Sequence, residues 1–320
     1  MRAIPLMSVF GVALALAPAA SAIVIDGGDG SQNLSVPTDN PGWENVGQIN
    51  GASGVYLGVY GGSPWVLTAA HVGVGSFLLD GTTYSALAGS GVQVTNADHS
   101  PADLELFRLT TAPVAPTLTL ATTAPDLNQN AAALLVGFGL REMGSTLYWN
   151  VTGTGAATNW SALGGAAGSN TSGYAVGDAG QERWGAATLV APASLGLDAS
   201  FNIGTGLTQA LLTEFNDTPG SAQAAGGDSG GALFYQTAGG WELGGIINAV
   251  GFFDNQPGGT AVIGQVTYAA DLSQYSATIL ADVGAVPEPG TTGLLLGAAA
   301  ALVASGWRRF GRGGSGRPAG

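Results

Sequence analysis

The chain of 320 residues has no cysteine and no lysine, and only two histidines, His71 and His99. Without cysteine there is no disulfide, no thiolate nucleophile and no thiolate-bound metal. With two histidines and no Asp or Glu at ligand spacing around them, a zinc enzyme is disfavoured. Charge is scarce as well: 9% of residues are charged, and all eight basic residues are arginine. Between Ile23 and Gly290 only Arg108, Arg141 and Arg183 stand against all 21 acidic residues, which leaves −18. So acidic a body repels nucleic acid and anionic lipid headgroups, and nucleic-acid binding is excluded. What the chain does have is glycine, 54 residues of it, with 46% apolar residues. Short apolar runs broken by turn residues suit an antiparallel β protein, with length for one large or two small domains.

Both ends read as addresses. Residues 1–22 carry Arg2, an apolar stretch from Leu6 to Ala17, and Ala20-Ser21-Ala22. That order describes a secretory signal peptide, cut after Ala22 to leave Ile23-Val24-Ile25 in front. At the other end Thr291 to Trp307 is uncharged. As a helix it is roughly 26 Å long, just enough to cross a bilayer core. Val286-Pro287-Glu288-Pro289 before it and Arg308-Arg309 after it resemble the PEP-CTERM sorting tail of Gram-negative bacteria. The resemblance implies an inner-membrane intermediate, removal of the tail by a membrane transpeptidase (exosortase), and a final place at the cell surface or outside. Permanent anchoring is the alternative. The expected organisation is therefore a signal peptide over 1–22, one domain over 23–283, and a tail over 284–320 with its span at 291–307.

Within the body, Val55 to Tyr60, Trp65 to Ala70 and Leu104 to Leu109 read as short strands, the last apolar on both faces. Leu272, Tyr275, Ile279 and Val283 fall at helical spacing, which predicts a helix over 271–283. Gly144 to Gly180 is rich in Gly, Ala, Asn, Ser and Thr and reads as long surface loops.

The chemistry sits in three short stretches. "WVLTAAHV" puts His71 after an apolar strand, "ADLELFRL" puts Asp103 at the start of another, and "AAGGDSGGAL" sets Ser229 among glycines. A serine hydroxyl must lose its proton as it attacks, and a histidine can take that proton and return it. A carboxylate on the far ring nitrogen holds the imidazole in the right tautomer. Without a Cβ, Gly227 can turn its N–H, together with that of Ser229, toward a developing oxyanion. The order His71, Asp103, Ser229 resembles the chymotrypsin/trypsin-like serine peptidases, and "LLVGFG", Leu134 to Gly139, resembles a strand of their second barrel. The resemblance spans roughly Ile23 to Val283. It implies an all-β fold of two packed six-stranded antiparallel barrels with a short C-terminal helix. The activity it implies is a serine endopeptidase, working through an acyl-enzyme with no cofactor and no metal on peptide or protein substrates.

Other readings stand beside this one. Asp98 rivals Asp103 as third member, and His99 reads as a surface loop residue in a loop that borders the cleft of the family. Glu214 and Asp217 read as a solvated acidic loop, two carboxylates being too few for calcium. Asp228, buried in the family fold, needs a positive or hydrogen-bonding partner. The Ile23 ammonium would supply one, although Ile25-Asp26 departs from the usual Gly-Gly. By resemblance Gln223 forms the base of the primary pocket, and Asn248, Ala249 and Val250 in "GGIINAVG" contact substrate. A neutral base and a narrowing Val250 imply cleavage after small or medium uncharged residues. The alternative function is a catalytically silent surface or matrix binding module on a protease fold.

Overall fold

The computed structural model describes residues 23–127, 131–178 and 180–284. The expected signal peptide and the expected tail span lie outside the described residues. Among the described residues, no helix is long and apolar enough to cross a membrane.

β-Branched and aromatic runs between glycine turns form strands throughout. The first half holds β1 (Val24–Ile25), β2 (Val46–Ile49), β3 (Ala52–Tyr60), β4 (Ser63–Thr68), β5 (Phe77–Leu79), β6 (Thr82–Tyr84), β7 (Val92–Thr95) and β8 (Pro101–Arg108). Seven of these form one antiparallel sheet in the order β6-β5-β2-β3-β4-β8-β7. The sheet curls until Ala86 pairs with Leu109. At that seam Leu87 N–H donates to Arg108 O at 2.7 Å and Thr110 N–H donates to Ser85 O at 2.9 Å.

The second half begins with β9 (Ala132–Gly137), β10 (Arg141–Thr152), β11 (Asn159–Leu163), β12 (Thr171–Gly177) and β13 (Arg183–Val190). It continues with β14 (Ser200–Phe201), β15 (Thr208–Glu214), β16 (Ala222–Gln223), β17 (Ala232–Thr237), β18 (Gly240–Val250), β19 (Thr260–Val262) and β20 (Val266–Asp271). Six strands close into a barrel, running β13-β9-β17-β18-β20-β15 and back to β13. The helix α1 (Leu272–Asp282) follows, capped by Asp271, whose side chain accepts the N–H of Ser273.

The expectation of two closed six-stranded barrels is thus met in the second half and corrected in the first. There the turn-rich stretch 85–91 separates β6 from β7, and a single bridge joins Ala86, just after β6, to Leu109, just after β8. A second correction concerns Gly144 to Gly180. Rather than loops, this stretch supplies most of a separate four-stranded sheet, β11-β10-β12-β19. Its apolar residues are few but placed across strands. Trp149 is buried against Trp160, with ring centroids 5.8 Å apart and edge-to-face, and Phe253 packs on Trp160 at 6.2 Å. Such cross-strand aromatic pairs stabilise a sheet that is otherwise Gly- and Ser-rich.

The core has three main parts. Ile49, Tyr56, Val66, Phe77 and Phe107 fill the first sheet's concavity. Leu135, Leu189, Leu211, Leu233 and Ile247 fill the barrel, together with Ile23 and Ile25 from the N-terminal segment. Val55, Leu57, Leu104, Leu106, Val136, Phe234, Ile246 and Ile279 join the two halves and the helix. Leu104 and Leu106 face one cluster while Phe107 and Leu109 face another, so β8 is apolar on both sides.

Candidate active site

β4 ends at Thr68 and the chain turns at once, with Val72 N–H donating to Ala69 O at 3.0 Å. His71 sits on that turn. The neighbouring strand β8 carries Asp103, fully buried. The His71 N–H donates to Asp103 Oδ1 at 2.9 Å, and His71 Nδ1 lies 2.8 Å from Oδ2. Asn248 of β18 donates through Nδ2 to Asp103 Oδ2 at 2.9 Å and to the Asp103 carbonyl at 2.7 Å. Burial alone would push the Asp103 carboxyl up. The hydrogen bond and charge of His71, together with the Asn248 amide, outweigh it and hold the carboxyl below its ordinary value. An ionised carboxylate on Nδ1 leaves Nε2 as the acceptor.

The Gly-Asp-Ser-Gly-Gly turn lies between β16 and β17. Gly227 has φ +92° and Gly230 φ +84°, both left-handed. A Cβ on Gly230 would collide with Ser53 O and Thr68 Oγ1, so only glycine fits there. Within the turn the N–H groups of Asp228, Gly230 and Gly231 donate to Ala225 O at 3.1 Å, Ile247 O at 2.7 Å and Asp228 O at 2.8 Å. Among the described residues, the N–H groups of Gly227 and Ser229 have no acceptor. Two unengaged N–H groups beside one hydroxyl form a concavity suited to an oxygen that carries negative charge.

Ser229 Oγ donates to Asn248 O at 3.4 Å and forms no hydrogen bond with the described His71. The serine is therefore joined to the His71–Asp103 pair through Asn248, whose carbonyl meets the hydroxyl and whose side chain meets the carboxylate. Asn248, expected as a substrate contact, has its side chain turned inward onto Asp103. The register of β18 on β20 shifts between Ile247 and Ala249, and Asn248 sits at that irregularity, buried, with its side chain on Asp103.

Ser53 of β3 carries no motif in the sequence. It is buried and holds the turn at two points, its N–H donating to Ser229 O at 2.8 Å and its Oγ to Gly227 O at 3.0 Å. The Oγ also accepts Phe138 N–H at 3.0 Å. Its side-chain partners lie 174 and 85 residues away, so no local signal marks it.

Asp228 is fully buried and points away from solvent into a ring of donors: Gly139 N–H at 2.7 Å, Ala225 N–H at 2.8 Å and Ile23 N–H at 3.2 Å. Burial pushes its carboxyl up to about 7, even though these donors and the charge of Arg183 pull the other way. Ile23, itself fully buried, has φ +50°, a conformation that β-branched residues avoid. β1 then pairs with β16, Val24 opposite Gln223.

Gln223 is fully buried, with Nε2 donating to Val266 O at 3.4 Å and Oε1 accepting from no described residue. Ala249 is buried and Val250 half-buried, opposite Tyr268 and Thr267 of β20. The rival residues fall elsewhere. Asp98 is exposed and accepts from Ser100 N–H at 3.0 Å, and His99 is exposed on the same turn at φ +66°. Asp217 is exposed and Glu214 half-buried, and no cluster of three metal-ligating residues forms among the described residues.

No family model matches this sequence, and no curated protein sequence matches it. Solved structures do resemble it. One is neuropsin, a serine protease expressed in the limbic system of mouse brain, at 16% identity over 77% of this chain and 96% of that one, TM-score 0.43. Another is a mutant of human heparin binding protein, at 14% identity over 78% and 95%, TM-score 0.48.

Proposed function

We propose that residues 23–283 form an exported serine endopeptidase, with Ser229 as nucleophile, His71 as general base and acid, and Asp103 as the carboxylate that orients it. The observation that carries this reading is the hydrogen-bonded chain His71–Asp103–Asn248–Ser229 beside two N–H groups without acceptors. Attack by Ser229 Oγ on a peptide carbonyl passes its proton to His71 Nε2. The resulting oxyanion lies against Gly227 N–H and Ser229 N–H, and His71 returns the proton to the leaving amine. The acyl-enzyme is then hydrolysed by water along the same route.

Ile23 is read as the mature N-terminus. A chain that starts there has no φ at Ile23, so the unfavourable torsion disappears, and its ammonium would face the Asp228 carboxylate at the position now held by the amide. Removal of the signal peptide would then complete the site, and one residue left before Ile23 should abolish activity. The C-terminal tail, by its resemblance, would be removed by an exosortase-type enzyme after export.

Specificity is proposed to favour small or medium uncharged residues, because Gln223, Ala249 and Val250 offer no carboxylate. A series of peptide anilides ending in Ala, Val, Phe and Arg tests the activity and the preference together. Hydrolysis after Ala or Val that is lost in Ser229→Ala supports both. A preference for Arg contradicts the pocket, and no hydrolysis of any member contradicts the enzyme.

A further inference from the structure

Arg183 is among the largest fully buried side chains of the protein, and the reaction does not use it. It opens β13, where its guanidinium meets Glu142 of β10, also fully buried, in a two-pronged pair at 2.7 Å on both prongs. Its remaining donors go to the N-terminal segment: Nη1 to Ile23 O at 2.7 Å, Nε to Gln32 O at 2.8 Å and Nη2 to Gln32 Oε1 at 3.3 Å. All five N–H bonds of the guanidinium are thereby directed, which a lysine could not match. Glu142 reads the same segment from the other side, accepting Ile25 N–H and Gly30 N–H, each at 3.0 Å. The pair thus grips the backbone at residues 23, 25, 30 and 32, and one of its grips is the carbonyl of the residue whose nitrogen meets Asp228.

Charge points the same way. Around Ile23 two buried carboxylates, Asp228 and Glu142, face one buried guanidinium. For as long as Ile23 carries an amide, an ionised Asp228 has no cation of its own, only N–H donors at Gly139, Ala225 and Ile23. Buried charge without a partner is strongly unfavourable, so a cation is called for at the Ile23 nitrogen. The segment that would bring it there is held by Arg183 and Glu142 themselves.

We infer that the Glu142–Arg183 pair is a lock for the mature N-terminus. It clamps residues 23–32 onto the barrel so that the Ile23 ammonium stays on Asp228 and the Gly227–Ser229 turn stays formed. Both are positioning residues and neither touches substrate. The inference rests on the reading of Ile23 as the mature N-terminus.

The absence of lysine supplies a direct test, since the α-amine is the only primary amine of the processed chain. The full chain is expressed with export, its N-terminus is confirmed by mass spectrometry, and acylation of the folded protein by an amine reagent is followed alongside peptide hydrolysis. In the native protein the Ile23 amine should resist acylation. In the double variant E142L/R183M, which removes the ionic pair and its backbone grips together, acylation should speed up and kcat/KM should fall, each by about tenfold or more. Glu142→Gln, which keeps the side-chain shape, should shift both readouts in the same direction and decides the matter if the double variant does not fold. Protection and activity at native levels in either variant overturn the lock and leave the N-terminal reading intact. A native amine that acylates as fast as in urea while the enzyme is active overturns the N-terminal reading itself.

Discussion

Single atoms decide most at the turn from Gly227 to Gly231. Ser53 Oγ donates to Gly227 O, while the backbone of the same residue holds Ser229 O. Ser53→Ala keeps the backbone bond and removes the side-chain one, so the fold should persist while the Gly227 peptide loosens. The loss of one buried hydrogen bond corresponds to roughly tenfold in rate. Kinetics should therefore show kcat reduced by about that factor with KM nearly unchanged, whereas a rise in KM alone would place Ser53 in substrate binding. Asp103→Asn should reduce kcat by about 10⁴-fold, because an amide facing Nδ1 stabilises the wrong tautomer. At this scale the sequence marked His71, Asp103, Ser229 and Gly227 through their local motifs, and the structure pairs His71 with Asp103 and puts Gly227 in a left-handed turn. The sequence was not legible for Ser53, nor for the side chain of Asn248, because both act on partners remote in the chain and at positions where any small polar residue would look the same.

Elements show a similar division. The helix over 272–282 follows from apolar residues at helical spacing, and Asp271 caps it by accepting Ser273 N–H at 3.0 Å. Removing that cap in Asp271→Ala should destabilise the protein by about 1 kcal/mol, seen as a fall of roughly 2–4 °C in the thermal midpoint. No fall would mean that packing of Leu272, Tyr275 and Ile279 alone holds the helix. Strands β3, β4 and β8 were legible for the same reason, a run of apolar residues between turns. The sheet of β10, β11, β12 and β19 was not. Its strands are mostly polar and small, and Trp149 and Trp160 meet across strands with Phe253 of a following loop packed on Trp160, a tertiary contact that composition conceals.

At the scale of the whole molecule, the proposed pairing of the Ile23 ammonium with Asp228 makes a prediction about pH. In a form that keeps a residue before Ile23, burial pushes the Asp228 carboxyl up to about 7 from an ordinary 3.8. Its folded value is raised, so between roughly pH 4 and 7 the native state binds more protons than the unfolded one. The stability of that form should fall as pH rises through this window. The processed protein, with an ammonium on the carboxylate, should lack this loss. Urea unfolding of both forms at pH 4, 5.5 and 7 measures the difference, and parallel curves would contradict the pairing.

The central claim, that Ser229 is a nucleophile activated by His71, is tested most directly by a fluorophosphonate on the exported, processed protein. The account predicts one covalent adduct, mapped to Ser229 by mass spectrometry, absent in Ser229→Ala and strongly slowed in His71→Ala. A well-folded protein that takes up no label, or takes it up equally in the alanine variant, would contradict the account.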